Sequence, residues 1–550
     1  MEPTNIVIAI EITPTKRLIE LILSRLLLKI ASPSATKSED IPPQPLNKAT
    51  VSGIDVIGTF LAVIAPSKLP IEVPTIIQNH DDNETPPSDP LEWSISQISQ
   101  LPELNWTGPI YSLKEMMDFH GKYNYQDRRV LRKKFKNSRK DYRRAKKLLK
   151  YQTGHYYFEP LWLYIRHNEA INGSSPVFQR FLHFWGNHFA IQQKDAMYSY
   201  DVGPYHREII APAMLKNIED LVYDVTISWA MIHNLDNSKS IGPNSPRAFK
   251  YSTRGKSANL NENHGRELLE LHTVSPNAGY TQNDVIDMSK VMSGWMHRIP
   301  KMSSKIHKRE ENVPVHFIEA YHDSGPFNVL GKKYVESFGT KAAREMLRKV
   351  IKDLVKNPAC IEFISKKLCN HFITQDPSDE IVNSVIIAWK KSKGDLKTIH
   401  SEVLKQAYKF SYLKKFQQPE TWLLQFIKMS GLDYFPKDMT YDFETMIPRD
   451  KDRVRRICRN LGQLPFRPLQ PNGWSDFEED WLSPEFLFRR IGILNALKQK
   501  GKLIHLDKSY LDRIIELNFD NVSEIKTFLE KVNNNEESVA LFSSKWMLKT

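Results

Sequence analysis

Residues 212–233 read PAMLKNIEDLVYDVTISWAMIH, and the spacing within them decides the fold class. Leu215, Ile218, Leu221, Val222, Val225 and Trp229 recur three and four positions apart. At 3.6 residues per turn these side chains share one helix face, whereas a strand would divide them between two faces. The same period returns at 340–355, 357–372 and 380–390. Pro358 stands at the first turn of its segment, where a missing N–H costs nothing. Upstream, Pro276 to Gly279 spell a turn, and Thr281 precedes the periodic Val285, Met288 and Met292 of a segment running to Arg298. That order predicts an N-cap at Thr281. Strand-like alternation is scarce, with one short hairpin expected from 313–320 and 326–329. The chain is predicted to be mostly α: a large multi-helix domain with long polar loops and at most a short β-hairpin.

The 550 residues would allow two to four units on length alone. Hydrophobic residues make up 41% and charged residues 26%, a globular balance that excludes wholesale disorder. The helical period favours one large domain at 95–505. A variable, partly linker-like extension at 1–94 precedes it, and a helical tail at 506–550 follows. Segments 32–47 and 80–90 are rich in Pro, Ser, Asp and Asn and read as linkers. The apolar stretches 17–30 and 51–65 are interrupted by charge and fall short of the roughly 20 residues that span a bilayer. No transmembrane helix is expected, and residues 15–30 keep an alternative reading as a peripheral amphipathic anchor. The N-terminus shows no evident signal peptide, so a cytoplasmic location is the default expectation. Three cysteines, Cys360, Cys369 and Cys458, exclude a disulfide scaffold and a four-cysteine zinc site. Cys360 and Cys369 would fall on opposite faces of one helix, out of reach of each other.

The formal net charge is +13, and nearly all of it is local. Residues 128–150 hold thirteen Lys and Arg against one acid, Asp141, in a helix-like pattern. Like charges three and four apart repel unless an anion or an acidic surface compensates them. The functional reading is an anion-binding helix, with Arg132, Lys133, Lys136, Arg139, Lys140, Arg143, Arg144 and Lys147 as the contacts and an anionic partner. The plain reading is a solvated arm. Sequence-specific nucleic-acid recognition is not expected, because zinc-finger spacing, a glycine-rich phosphate loop and an aromatic RNA-binding signature are all missing.

The densest polar cluster is LNENHGRELLELHT at 260–273. Counting about 100° per residue from Asn263, Arg266, Glu267 and Glu270 lie within an arc of about 100°, and His272 lies about 180° away. Two carboxylates, a guanidinium and an amide on one face suit an acid–base site, an anion clamp or a buried structural network. The spacing is not that of a zincin, which needs two histidines four apart. His183 and His188, five apart, point to different faces, so only one would reach a shared site. His322 and Asp323 pair an imidazole with an adjacent carboxylate in a loop. A metal centre from His188, His322 and Glu267 or Glu270 would need tertiary contact. No G-x-S-x-G signature accompanies the histidines. No cofactor is indicated, and no metal ligand set is established.

These residues resemble a bacterial family, the domain of unknown function 1800. The resemblance rests on 261–273 followed by GYTQ at 279–282, Asp284-Val285 and Gly294-Trp295. It extends to FWGNHF at 184–189, SIGPNS at 240–245, His322-Asp323-Ser324-Gly325, the segment 358–372, LGQ at 461–463, PNGW at 471–474 and WLSP at 481–484. It covers roughly residues 95–500. It implies a large, mostly helical domain with no agreed activity, so no catalytic role is transferred with it. Family members are often exported. His264 departs from the usual Tyr or Leu, and Ser228-Trp229 from the usual His-Pro.

Three functional readings compete. One is a structural or binding protein whose polar motifs hold helices together. The second is an enzyme with an acid–base or metal centre at His188, Arg266, Glu267, Glu270, His322 and Asp323. The third is an anionic-surface binder working through 128–150.

Overall fold

The computed structural model describes residues 89–544 except 122–127, 153, 195–197, 298–314, 336–338, 431, 433, 437–452, 500–510, 513–514, 517–518, 520 and 533–536. The linker at 32–47, nearly all of that at 80–90, and both apolar stretches near the N-terminus lie outside the described residues.

Among the described residues the chain begins with α1 (Pro90–Gln97), α2 (Leu113–Gly121), α3 (Arg128–Lys134), α4 (Arg139–Gln152), α5 (His155–Ile171) and α6 (Pro176–His188). Next come α7 (Tyr198–Pro204), which runs on through a π turn at Tyr205–Ile210, then α8 (Ile218–Thr226), α9 (Trp229–Asn234) and α10 (Pro246–Ser252). The segment α11 (Asn263–Glu267) continues as a π turn at Leu268–His272 and leads to α12 (Gln282–Met292). After two small hairpins follow α13 (Thr340–Lys356), α14 (Pro358–Phe372), α15 (Asp379–Ser392), α16 (Leu396–Lys409), α17 (Pro419–Ser430), α18 (Arg453–Leu461), α19 (Pro484–Gln499), α20 (Val522–Leu529) and α21 (Glu537–Ser543). The fold is mostly α, with 65% of the described residues helical and 4% in strands.

The stretch 212–233 keeps its apolar face but not one continuous axis. Asn217 Oδ1 accepts from the Glu219 amide at 3.1 Å and starts α8, while Ser228 Oγ accepts from the Met231 amide at 3.2 Å and starts α9. Residues 216–218 give their backbone groups to another segment: the Ile218 amide donates to the Gly394 carbonyl and the Leu396 amide to the Lys216 carbonyl. Tertiary backbone pairing here overrides helical continuity. Ile218, Leu221, Val222, Val225 and Trp229 are all buried.

Thr281 caps α12 in a reciprocal box with Asp284, as its position predicts. The strands differ from expectation. Among the described residues, 315–320 and 326–329 do not pair with each other: β1 (Trp295–His297) pairs antiparallel with β2 (Val315–Phe317), and β3 (Phe327–Val329) with β4 (Lys332–Tyr334). Leu330 and Gly331 have φ of 49° and 75° between Val329 and Lys332, a two-residue turn whose positive φ values match the strand twist and close the second hairpin locally.

The predicted basic helix also divides. Helix α3 ends at Lys134, and Ser138 restarts the chain as α4, its hydroxyl and Asp141 bonding reciprocally. One apolar cluster runs through the described residues from Ile98 to Phe542. Trp162, Trp185, Trp229, Trp295 and Trp422 lie at its centre, fully buried. The C-terminal helices contribute Ile525, Leu529 and Leu541 to the same cluster, and the Phe542 carbonyl accepts from the Trp422 indole. All three cysteines are reduced and buried.

Candidate functional site

The polar cluster at 260–273 forms a joint between two helices. Arg266 donates to Gln282 Oε1 at 2.9 Å and to Glu262 at 3.3 Å, and Gln282 Nε2 donates to the same Glu262 at 2.6 Å. The start of α12 is thereby fastened to the lead-in of α11. Glu270 accepts from the Tyr280 hydroxyl at 2.7 Å. Burial and the neighbouring Glu270 push the Glu267 carboxyl upward, against Arg266 and Lys194. Thr273 Oγ1 bonds the Leu268 carbonyl at 2.6 Å within the π turn, which sends His272 into the core.

His322 and Asp323 are adjacent but serve different partners. His322 Nδ1 meets the Ser293 carbonyl at 2.7 Å. The Asp323 carboxylate, fully buried, accepts from the Asn244 amide at 2.8 Å, from Asn244 Nδ2 at 3.3 Å and from the Gly325 amide at 3.1 Å. It fastens loop 240–245 to loop 322–325. His188 stands elsewhere, its Nε2 at 3.3 Å from the His272 carbonyl and its Nδ1 at 3.2 Å from Lys367 Nζ. Burial, with Lys367 and His272 adding to it, holds His188 well below the usual histidine range. Burial likewise pushes His264 and His272 down to about 3. The six sequence candidates thus fall into three groups: His188 alone, His322 with Asp323, and Arg266, Glu267 and Glu270 together. Among the described residues no cluster of three His, Cys, Asp or Glu side chains has the arrangement to hold a metal ion.

Sequence reasoning missed a cavity of about 170 Å³ between α5, α6, the end of α14, the 410–418 loop and α17. Two carboxylates are held at its wall. Arg166 grips Glu420 bidentately at 2.6 and 2.9 Å, and that guanidinium holds the Glu420 carboxyl well below its usual range although burial opposes it. His371 Nδ1 lies 2.7 Å from Asp476 Oδ1, with Gln418 Nε2 at 2.9 Å and Lys415 Nζ at 3.7 Å from the same oxygen. Burial drives Asp476 upward, but His371 and Lys415 overcome it and leave the carboxyl well below its usual range. Burial keeps His371 below its own range. The Asp476 carboxylate accepts from the Nδ1–H of His371. Its Nε2 makes no hydrogen bond among the described residues.

Arg180 differs from the other cations on the wall. It packs over the Phe372 ring, 5.4 Å from the centroid, and forms no ion pair among the described residues. Burial alone lowers it to about 10. Nearby, His183 Nε2 and His206 Nδ1 are buried with no hydrogen-bond partner among the described residues. His206 reaches this wall because position 186 is glycine, where a Cβ would sit 2.1 Å from the imidazole. Phe372, Leu404, Phe410, Leu413 and Leu424 supply apolar wall. The arrangement offers one unmatched cation, neutral ring nitrogens and an apolar body, which is the composition of a small-anion site.

One sequence signal pointed here. FWGNHF and PNGW meet at the cavity rim, where Asn187 Oδ1 accepts from the Trp474 amide at 2.7 Å and Asn187 Nδ2 donates to the Trp474 carbonyl at 2.8 Å. Segment 358–372 ends in the His371 of the carboxylate pair. Three of the stretches behind the family resemblance therefore converge on this wall.

The family described as Protein of unknown function (DUF1800) matches residues 88–544, and the chain belongs to it. No curated protein and no solved structure matches the chain. Among the described residues no helix is long and apolar enough to cross a membrane.

Proposed function

We propose that this member of the family binds a small organic anion, a monocarboxylate with a compact apolar body, in the cavity beside α6. The observation behind the reading is Arg180, a guanidinium on the wall without a carboxylate partner among the described residues. The Arg180 side chain is half-buried, and an anionic ligand would supply the partner that it lacks among the described residues. The volume sets the size: about 170 Å³ compares with the roughly 150 Å³ of a cavity that holds benzene. The bidentate geometry of a guanidinium favours a carboxylate or a phosphate, and the apolar wall favours the carboxylate.

The test is calorimetric titration of the full chain with benzoate, butyrate and inorganic phosphate at low ionic strength. Saturable binding of a carboxylate is expected, lost in Arg180→Leu and partly kept in Arg180→Lys. Silence from both carboxylates, or unchanged binding in Arg180→Leu, would overturn the reading.

A second reading has its own observation. The Asp476–His371 pair orients an imidazole and leaves Nε2 without a partner, the geometry of a general base. In that reading the bound anion loses a proton to His371 Nε2. His371→Gln would then keep binding and abolish exchange of a ligand C–H proton with deuterated solvent. Equal exchange in both proteins would sink it.

A further inference from the structure

The surplus charge on α3 and α4 is independent of the cavity. In α4 the half-buried Tyr142 and Ala145 and the buried Leu149 face inward, where the helix packs against α5. Arg139, Arg143 and Lys147 follow one another at four-residue spacing on the outer side, flanked by Lys140 and Arg144, and all five are exposed. At 1.5 Å per residue the ridge from Arg139 to Lys147 is about 12 Å long. None of the five takes part in an ion pair among the described residues, and the one acid on the hairpin, Asp141, is engaged by Ser138. Repulsion along such a ridge works against the helix unless a multivalent anion lies on it.

We infer that this ridge is a docking surface for the phosphodiester backbone of a nucleic-acid duplex, bound without regard to base sequence. The choice between nucleic acid and lipid follows from the apolar side chains. A helix that embeds in a bilayer must free its apolar face for the acyl boundary, and α4 has committed that face to α5. What remains outside is a linear array of cations, mostly guanidinium, and arginine forks suit phosphate oxygens. Leu148 and Val130 are exposed singly and form no insertion face. Nothing on the ridge is arranged to reach base edges, so affinity would come from released counterions.

Fluorescence anisotropy with the full chain tests this, using a 20-base-pair duplex DNA and the RNA duplex of the same sequence between 50 and 300 mM NaCl. The variant replaces Arg139, Arg143, Arg144 and Lys147 by Gln. The control replaces Lys390, Lys391, Lys393 and Lys397 by Gln, four exposed lysines distant in sequence that give the same change in net charge. Circular dichroism checks that both remain folded. The ridge variant is expected to lose affinity at least about tenfold at 100 mM, with the slope of log affinity against log salt flattened by about 3 to 4, and the control to match the parent. Binding to one duplex type or to both supports the proposal and tells which backbone fits. No binding to either duplex at 50 mM overturns it, as does an equal loss in the control. Binding to vesicles containing 30% phosphatidylserine but to neither duplex reassigns the ridge to lipid.

Discussion

The polar joints at 240–325 and the cavity beside α6 are both built from charged residues inside a helical core, yet their charged groups are paired differently. At the joints Asp323, Glu270 and Glu262 are met by donors: Asp323 by Asn244 and Gly325, Glu270 by Tyr280, Glu262 by Gln282 and Arg266. Around the cavity the Arg180 guanidinium makes no ion pair among the described residues, and His183 Nε2 and His206 Nδ1 are buried without a hydrogen-bond partner among them, as are both ring nitrogens of His264 and Nδ1 of His272 beside the joints. A satisfied buried network holds elements together, while a surplus asks for a ligand. What separates a joint from a site is the remainder after internal pairing.

The largest effect expected from that contrast is at Asp323. Replacing it by Ala removes a fully buried carboxylate and leaves the Asn244 and Gly325 amides without their acceptor, and about 1–3 kcal/mol of stability should be lost in urea unfolding. Benzoate affinity measured on the fraction still folded should stay unchanged. A stable variant that no longer bound the anion would break the distinction between joint and site.

Acid should act next, and on both regions together. His206 on the cavity wall and His264 and His272 behind the joint are held down to about 3, each chiefly by burial. In the unfolded chain they titrate near 6.5, so below that pH the unfolded state binds more protons than the folded one. Stability is complete above pH 6.5 and falls as pH drops toward 3, by about 1.4 kcal/mol per pH unit for each such histidine. Urea midpoints measured between pH 7.5 and 5 check this. If benzoate occupies the cavity with a hydrogen bond from His206, the ligand should reduce the slope by that one residue, and Arg180→Leu should remove the reduction.

Much of the fold was legible because it depends on short-range spacing. The 3.6 period of α13 puts Met346, Leu347, Val350, Ile351 and Leu354 inside, and the cap at Thr281 needs only Asp284 three residues on. The π turn at 268–272 was not legible, since it arises where Thr273 bonds back to Leu268 and rotates His272 off a regular helix. The hairpin partners were misread for a related reason: a two-residue turn at Leu330-Gly331 is local, but β1 and β2 pair across a long gap. The cavity was the least legible of all. Arg180, His371, Lys415 and Asp476 are contributed by separate segments, and no local pattern joins them. Only the family stretches around Asn187 and Trp474 hinted that those parts meet.

The smallest effect is the most discriminating about the joint, because the sequence reading placed an acid–base candidate there. Tyr280→Phe removes the hydroxyl that donates to Glu270, and the cost should be about 1 kcal/mol, as for one partly buried hydrogen bond. Arg266→Ala should cost less than about 0.5 kcal/mol, since its side chain is 38% exposed and its partners at Glu262 and Gln282 keep each other. Neither change should alter anion binding. The double variant separates a network from two independent contacts. Additive losses mean that Glu270 and Glu262 are fastened separately, and a coupling above about 0.5 kcal/mol means that Glu267, between them, transmits strain from one to the other. A loss of anion affinity in either single variant would place the 260–273 cluster in the site and not in its frame.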